Sequence, residues 1–136
     1  MKILIFIPTF NDRVLIASLV KSILALGVEF YTLVIDDGSD PALETDGLSG
    51  PREKYFRCPY NVGLGVTTNI ALDYAQKEQF DIFLRIDADG QHPLECILPI
   101  VEFVPPPTKP KQRFFLIKIY IYIYLIMYIT NYLIKE

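Results

Sequence analysis

Phe80-Asp81-Ile82-Phe83-Leu84-Arg85-Ile86-Asp87-Ala88-Asp89-Gly90-Gln91-His92 decides how this chain reads. From Phe80 to Ile86 the residues are mostly apolar, with β-branched and aromatic members, the composition of a buried strand. The strand ends in two carboxylates at alternate positions. Alternate residues of an extended segment project to one side, and Gly90 lets the chain turn without a Cβ clash, so Asp87 and Asp89 can face one ligand. Hard oxygen donors suit Mg²⁺ or Mn²⁺. Mg²⁺ takes one or two protein carboxylates and completes its shell with water and phosphate oxygens, and the amide oxygen of Gln91 is a third donor. In open α/β sheets, ligands gather at this end of the strands.

Other chemistry uses similar residues. A calcium EF-hand loop needs Gly at its sixth position and Glu at its twelfth, and counted from Asp87 those places hold His92 and Leu98, which excludes it. An aspartyl-phosphate phosphatase also carries Asp-x-Asp after a strand, with one carboxylate as nucleophile, but nothing else in the chain singles that chemistry out. A polar turn after a buried strand is the purely structural alternative. Taken alone, the motif leaves ligand site and turn evenly balanced.

Two further strands end the same way. Lys2-Ile3-Leu4-Ile5-Phe6-Ile7 is apolar and breaks at Pro8-Thr9-Phe10-Asn11-Asp12. A helix is expected next, capped by Asn11 or Asp12, with Leu15, Leu19, Ile23 and Leu26 near helical spacing and Gly27 as its stop. Tyr31-Thr32-Leu33-Val34-Ile35 follows and ends in Asp36-Asp37-Gly38-Ser39-Asp40. Pro41 to Lys54 reads as a surface loop, with a short strand near Tyr55 to Cys58. A third polar loop, Asn61-Val62-Gly63-Leu64-Gly65, precedes a helical pattern carrying Asn69, Ala71, Leu72 and Ala75. Gly63 and Gly65 lack the third glycine and the ribose-binding acid of a dinucleotide fingerprint, so a nicotinamide enzyme is rejected. Strand, helix, strand, short strand, helix, strand, helix implies a parallel α/β sheet wound by right-handed crossovers, with the last helix over Pro93 to Phe103.

Together, Ile7-Pro8-Thr9-Phe10-Asn11-Asp12, Val34-Ile35-Asp36-Asp37-Gly38-Ser39, Asn61-Val62-Gly63-Leu64-Gly65 and Asp87-Ala88-Asp89-Gly90-Gln91-His92 resemble the nucleotide-sugar half of a family 2 inverting glycosyltransferase of GT-A fold. The fold implied is the Rossmann-like, three-layer α/β fold of nucleotide-diphospho-sugar transferases. The variant Asp-Ala-Asp-Gly-Gln-His-Pro is similar to polyprenyl-phosphate sugar transferases, dolichyl-phosphate mannose synthase among them. By this resemblance Pro8, Thr9 and Asn11 line the nucleobase and ribose pocket. Asp36 or Asp37 bonds the base, and Asn61 and Gly65 lie near the donor. Asp87 faces ribose and metal, while Asp89 and Gln91 hold the cation, Mg²⁺ or Mn²⁺, against the diphosphate. The donor implied is a UDP- or GDP-sugar and the acceptor a polyprenyl phosphate or a glycan. A nucleoside diphosphate leaves poorly until a metal meets its developing charge, and one in-line displacement inverts the anomeric centre. The acceptor-side base of the family lies downstream, where the match fades near Val104. Glu95 and Glu102 are read as solvating the outer face of the last helix, so no catalytic residue is assigned.

The remaining sequence divides sharply. Residues 1–104 are expected to be the nucleotide-sugar-binding part of the domain, truncated relative to a whole GT-A domain, and 105–113 a Pro/Lys-rich linker that cannot continue a helix. Residues 114–136 form an Ile/Tyr-rich apolar tail. Its run from Phe114 to Ile134 has the length of a membrane span, but Lys118 and the Ile/Tyr alternation from Ile119 to Tyr124 suit a strand equally, and chance translation of A/T-rich DNA gives the same composition. The last of these is favoured. A net charge of −3 and a pI near 5.1 leave no basic footprint for nucleic acid. Cys58 and Cys96 read as free thiols in a reducing compartment. The apolar start, Met1 to Ile7, is too short for a secretion signal, so the expected location is cytoplasmic, at the inner face of a membrane where the tail associates with it. His92, the only histidine, suits a phosphate contact and a backbone-bonded loop equally. Two functions from different classes follow. One is a metal-assisted glycosyltransferase, and the other an inert fragment that at most binds nucleotide diphosphate and metal.

Overall fold

Ile3 to Ile7 are buried without interruption, the mark of a strand covered on both faces. In the computed structural model, which describes residues 1–12, 16–88 and 94–103, this segment is strand β1 (Ile3–Thr9). Helix α1 (Ile16–Leu24) leads to β2 (Phe30–Asp36), and β3 (Glu53–Arg57), α2 (Leu64–Lys77) and β4 (Ile82–Arg85) follow. A 3-10 turn (Leu94–Cys96) then runs into α3 (Ile97–Phe103). Asp89, Gly90, Gln91 and His92, the 105–113 linker and the 114–136 tail lie outside the described residues.

The four strands form one sheet in the order β3-β2-β1-β4, and every pairing is parallel. The path steps one way from β1 through β2 to β3, then returns across β1 to place β4 on its far side. Crossovers of a single hand therefore put α1 and α2 on opposite faces, a three-layer arrangement. The rings agree with this. Tyr74 of α2 meets Phe56 and Phe80, whose neighbour Tyr31 lies on the same sheet face as Phe56. The point where the strand order reverses lies between β1 and β4. The expected α/β class and GT-A-like, Rossmann-like architecture are those observed.

Of the predicted stripe Leu15, Leu19, Ile23 and Leu26, Ile23 is fully buried among the described residues, while the other deep positions of α1 go to neighbours of that stripe. Ile16, Val20 and Ile23 are buried, whereas Leu19 and Leu26 are only half-buried, and Leu15 lies outside the described residues. The helix thus turns its β-branched side to the sheet, where short branched side chains pack closely against a pleated surface. The N–H groups that a cap at Asn11 or Asp12 would meet belong to residues 13–15, which lie outside the described residues. The Asp12 carboxylate accepts from the Phe10 N–H at 3.2 Å, and the Asn11 amide oxygen accepts from the Asp40 N–H at 3.0 Å.

Helix α2 buries Thr67, Ala71 and Ala75, small residues that allow close approach to the sheet. Its C-terminus closes with Gln79 in the left-handed region at φ 57°. The Phe80 N–H returns to the Ala75 carbonyl at 3.0 Å and the Gln79 N–H to that of Gln76 at 3.2 Å. This is a Schellman closure, and Phe80 packs on Tyr74 one turn back as such closures favour. The Phe80 backbone then runs straight into β4, where the Asp81 and Ile82 N–H groups meet the Lys2 carbonyl.

Residues 41–54 are mostly exposed, with Leu48 buried, and β3 begins at Glu53, two residues before the predicted strand. Cys58 is a free, buried thiol. Glu95 and Glu102 are exposed, as expected of a helix's outer face. Among the described residues no helix is long and apolar enough to cross a membrane.

Candidate functional site

Three loops gather at the carboxyl end of the sheet because parallel strands all deliver their chain there. The register aligns Thr9 of β1, Asp36 of β2 and Arg57 of β3 in one row. Period-two alternation turns these side chains, and Tyr55 two residues before Arg57, to the same face.

Asp36 is wholly buried at the centre of that row. One carboxylate oxygen accepts from the Ser39 N–H at 2.9 Å, and the other from the Tyr55 hydroxyl at 3.2 Å and the Leu43 N–H at 3.4 Å. The Arg57 Nε lies 3.5 Å from it. Burial by itself would raise this carboxyl, but the bonds from Ser39, Leu43 and Tyr55 outweigh it and hold it below the usual carboxylate range. Burial and the neighbouring Asp36 charge push the Tyr55 hydroxyl up to about 12. Burial, then the charges of Asp37 and Asp36, raise the Cys58 thiol, which keeps it protonated and unreactive.

Ser39 carries the link to the first loop. Its hydroxyl accepts from the Asn11 N–H at 2.8 Å while the Asn11 side chain accepts from Asp40, so the loops after β1 and β2 hold each other reciprocally. The Arg57 guanidinium donates to the Ser39 carbonyl at 2.8 Å. Asp37, 6 % exposed, reaches the third loop, accepting from the Val62 N–H at 2.7 Å and the Gly63 N–H at 2.9 Å. Gly38 lies against that loop as well. A Cβ there would stand 2.5 Å from the Tyr60 carbonyl carbon and 2.8 Å from the Asn61 nitrogen, and its φ of +76° favours glycine independently.

The other predicted residues fall around this cluster. Pro8 is half-buried and Asn61 exposed, and Gly65, in the first turn of α2, faces open space. Thr9 is buried, and among the described residues its hydroxyl and that of Thr32 are the buried side-chain polar atoms with no hydrogen-bond partner. Thr32 sits mid-strand and nothing in the structure explains its hydroxyl. A cavity of about 610 Å³ opens between the start of α1 and the loop after β2, lined by Asn11, Asp12, Ile16, Ser39 and Leu43 among others. Of the predicted residues that are described, only Asn11 lines it.

Asp87 stands at the far side of β1. The last rung of β4 pairs Arg85 with Phe6, the Ile86 N–H still bonds the Phe6 carbonyl at 2.9 Å, and Asp87 emerges one residue later, where the strand order reverses. Its carboxylate is about one-third exposed and lies across the Arg85 guanidinium, with Nε to Oδ1 at 3.0 Å and Nη2 to Oδ2 at 3.2 Å. Among the described residues no hydrogen bond or ion pair joins Asp87 to the three stitched loops, and no cluster of three or more acidic, His or Cys side chains forms a metal site.

Four residues of this arrangement were not singled out by their type. Arg85 could have been read from its position two before Asp87 on a strand, which gives both side chains one side. Tyr55 and Arg57 alternate on β3 in the same way. Gly38 carried no signal beyond its place in a polar turn.

A search against curated proteins returned no match. The family model for glycosyl transferase family 2 matches residues 4–109, a span that takes in the three loops and all four strands but for Ile3 at the start of β1. The chain thus belongs to glycosyl transferase family 2, whose domain serves glycosyl transfer between a nucleotide-sugar donor and an acceptor.

Proposed function

We propose that the chain binds a UDP- or GDP-sugar over the β1–β4 crevice and transfers the sugar, with inversion, to a polyprenyl phosphate. The observation that carries this reading is the Asp87 carboxylate, exposed where the strand order of a family 2 domain reverses. The β1 side of the crevice offers Pro8, and the buried Thr9 hydroxyl has no hydrogen-bond partner among the described residues. Asn11, Asn61 and Gly65 border the donor on the other loops. Asp36 is already surrounded by protein donors, whereas a carboxylate with about four acceptor positions leaves Asp37 room for a base N–H beside its two backbone bonds.

The donor chemistry of Asp87 suits a hard cation. Asp87, with Asp89 and Gln91 of the following loop, would hold Mg²⁺ or Mn²⁺, which when bound offsets the charge developing on the departing diphosphate. The protein's own part is to orient the donor so that the acceptor oxygen approaches opposite the leaving group. A phosphate acceptor arrives already ionised and needs no side chain to take its proton. The Asp87-Ala88-Asp89-Gly90-Gln91-His92 variant favours such an acceptor, and a lipid-borne one would bring the protein to the inner face of a membrane.

Thermal unfolding of the full chain with UDP or GDP, with and without Mn²⁺ or Mg²⁺, tests the donor site. A nucleotide at a hundredfold its Kd stabilises by about 2.7 kcal/mol, and Asp89→Ala should remove the metal-dependent part. Sugar release from radiolabelled UDP- and GDP-sugars with a short polyprenyl phosphate tests transfer. Absence of any shift with every nucleoside diphosphate and metal would overturn the proposal.

A further inference from the structure

Helix α2 starts at Gly63, which has no side chain to cap it and a φ of 90°. The backbone donors just ahead of a helix are normally met from within the segment, as when a capping-box glutamate reaches back to the N-cap N–H. Here that part is taken by Asp37, from the end of another strand. Its two carboxylate oxygens each accept one of two consecutive N–H groups, Val62 at 2.7 Å and Gly63 at 2.9 Å, and its negative charge lies at the positive end of the helix. Next to it, the bare Gly38 backbone fits against Tyr60 and Asn61 with no space for a Cβ. Two adjacent residues thus register one loop against another, one by charge-assisted bonds and one by contact.

We propose that Asp37 is a positioning residue, which fixes the start of α2 and with it Asn61 against the loops that follow β1 and β2. Asn61 has an exposed side chain and directly precedes Val62, so its position follows the backbone there. The backbone at Val62 and Gly63 is what sets where it stands. The consequence for donor binding rests on the function proposed above, whereas the latch itself does not.

Amide hydrogen exchange by NMR on the full chain, without nucleotide, gives the first test. The Val62 and Gly63 amides of the wild type should exchange at least about tenfold more slowly than an open loop amide. Asp37→Asn turns a donor towards one of those N–H groups and should speed both at least about fivefold. Gly38→Ala keeps the carboxylate but forces the Tyr60–Asn61 backbone away, and should do the same. In titrations with Mn²⁺, Gly38→Ala, which leaves the Asp37 carboxylate in place, should lower affinity for UDP, CDP and GDP by one common factor, because a displaced Asn61 affects each donor alike. Unprotected wild-type amides overturn the latch even if neither variant folds. Unchanged exchange in Asp37→Asn overturns it too and leaves Asp37 with the base contact alone. Responsive amides in a chain that binds no nucleotide leave the latch standing and remove the donor reading.

Discussion

The hydroxyl of Tyr55 donates to the fully buried carboxylate of Asp36 across 3.2 Å, and each group holds the other in one protonation state. Tyr55→Phe removes one bond to a buried charge and should cost about 1.5 to 3 kcal/mol in urea unfolding. Asp36 sits below its ordinary range, so its share of stability is present above about pH 4 and is lost as the pH falls through its folded value. Tyr55 is raised to about 12, so its share is full below about pH 10 and is lost as the pH rises through the folded value. The variant should therefore unfold at a higher pH on the acid side and lose the alkaline transition between about pH 10 and 12. A wild-type stability profile flat across that alkaline window would refute the pairing.

Arg85 and Asp87 form an exposed fork, 3.0 and 3.2 Å apart, and such pairs contribute about 0–1 kcal/mol. Arg85→Ala should leave stability within about 0.5 kcal/mol. It also removes a cation beside the proposed metal ligand, so calorimetric Mn²⁺ affinity in the presence of UDP should rise by a factor of roughly two to five. Weaker binding would mean that Arg85 assists the donor rather than competing for Asp87.

Gln79 closes α2 in the left-handed region at φ 57°, a conformation costing an L-residue about 1 kcal/mol. Gln79→Gly relieves that cost while adding some unfolded-state entropy, and should raise stability by about 0.5 kcal/mol with the fold unchanged. A fall in Tm would show that the Gln79 side chain contributes something its backbone position does not reveal.

Val20 is fully buried under α1, and Leu19 is half-buried. Val20→Ala should cost about 2 kcal/mol in chemical unfolding and Leu19→Ala less, although leucine loses the larger group. The reverse order would restore the leucine stripe that the sequence suggests.

That contrast shows where sequence reasoning reaches its limit. The strands were legible because burial on both faces leaves continuous apolar runs: β4 falls within its predicted segment, β1 runs on through Pro8 and Thr9, and β2 extends one residue beyond each end of its own. Parallel pairing followed from helices alternating with strands, whereas the order β3-β2-β1-β4 did not. The face of α1 was legible only in part: Ile23 of the predicted stripe is buried, but Ile16 and Val20 lie deeper than Leu19 and Leu26, and spacing alone cannot tell which of two neighbouring stripes meets a pleated sheet. At the site, Asp36 and Asp37 were recognisable as a pair after a strand. Their division was not, because whether a carboxylate faces Tyr55 and Arg57 or Val62 and Gly63 depends on residues at least 18 positions away in the chain. Asp89 and Gln91, read from donor chemistry, spacing and the family resemblance, lie outside the described residues.

The reciprocal bonds among Asn11, Ser39 and Asp40, and from Asp37 to Val62 and Gly63, tie three separate segments into one cassette. Specificity of the domain cannot then be re-engineered by transplanting any one of those segments from a homologue. A graft carrying a new second segment would arrive with bonding partners cut for its own neighbours, so the three must travel together or the recipient's neighbours must be recut to match.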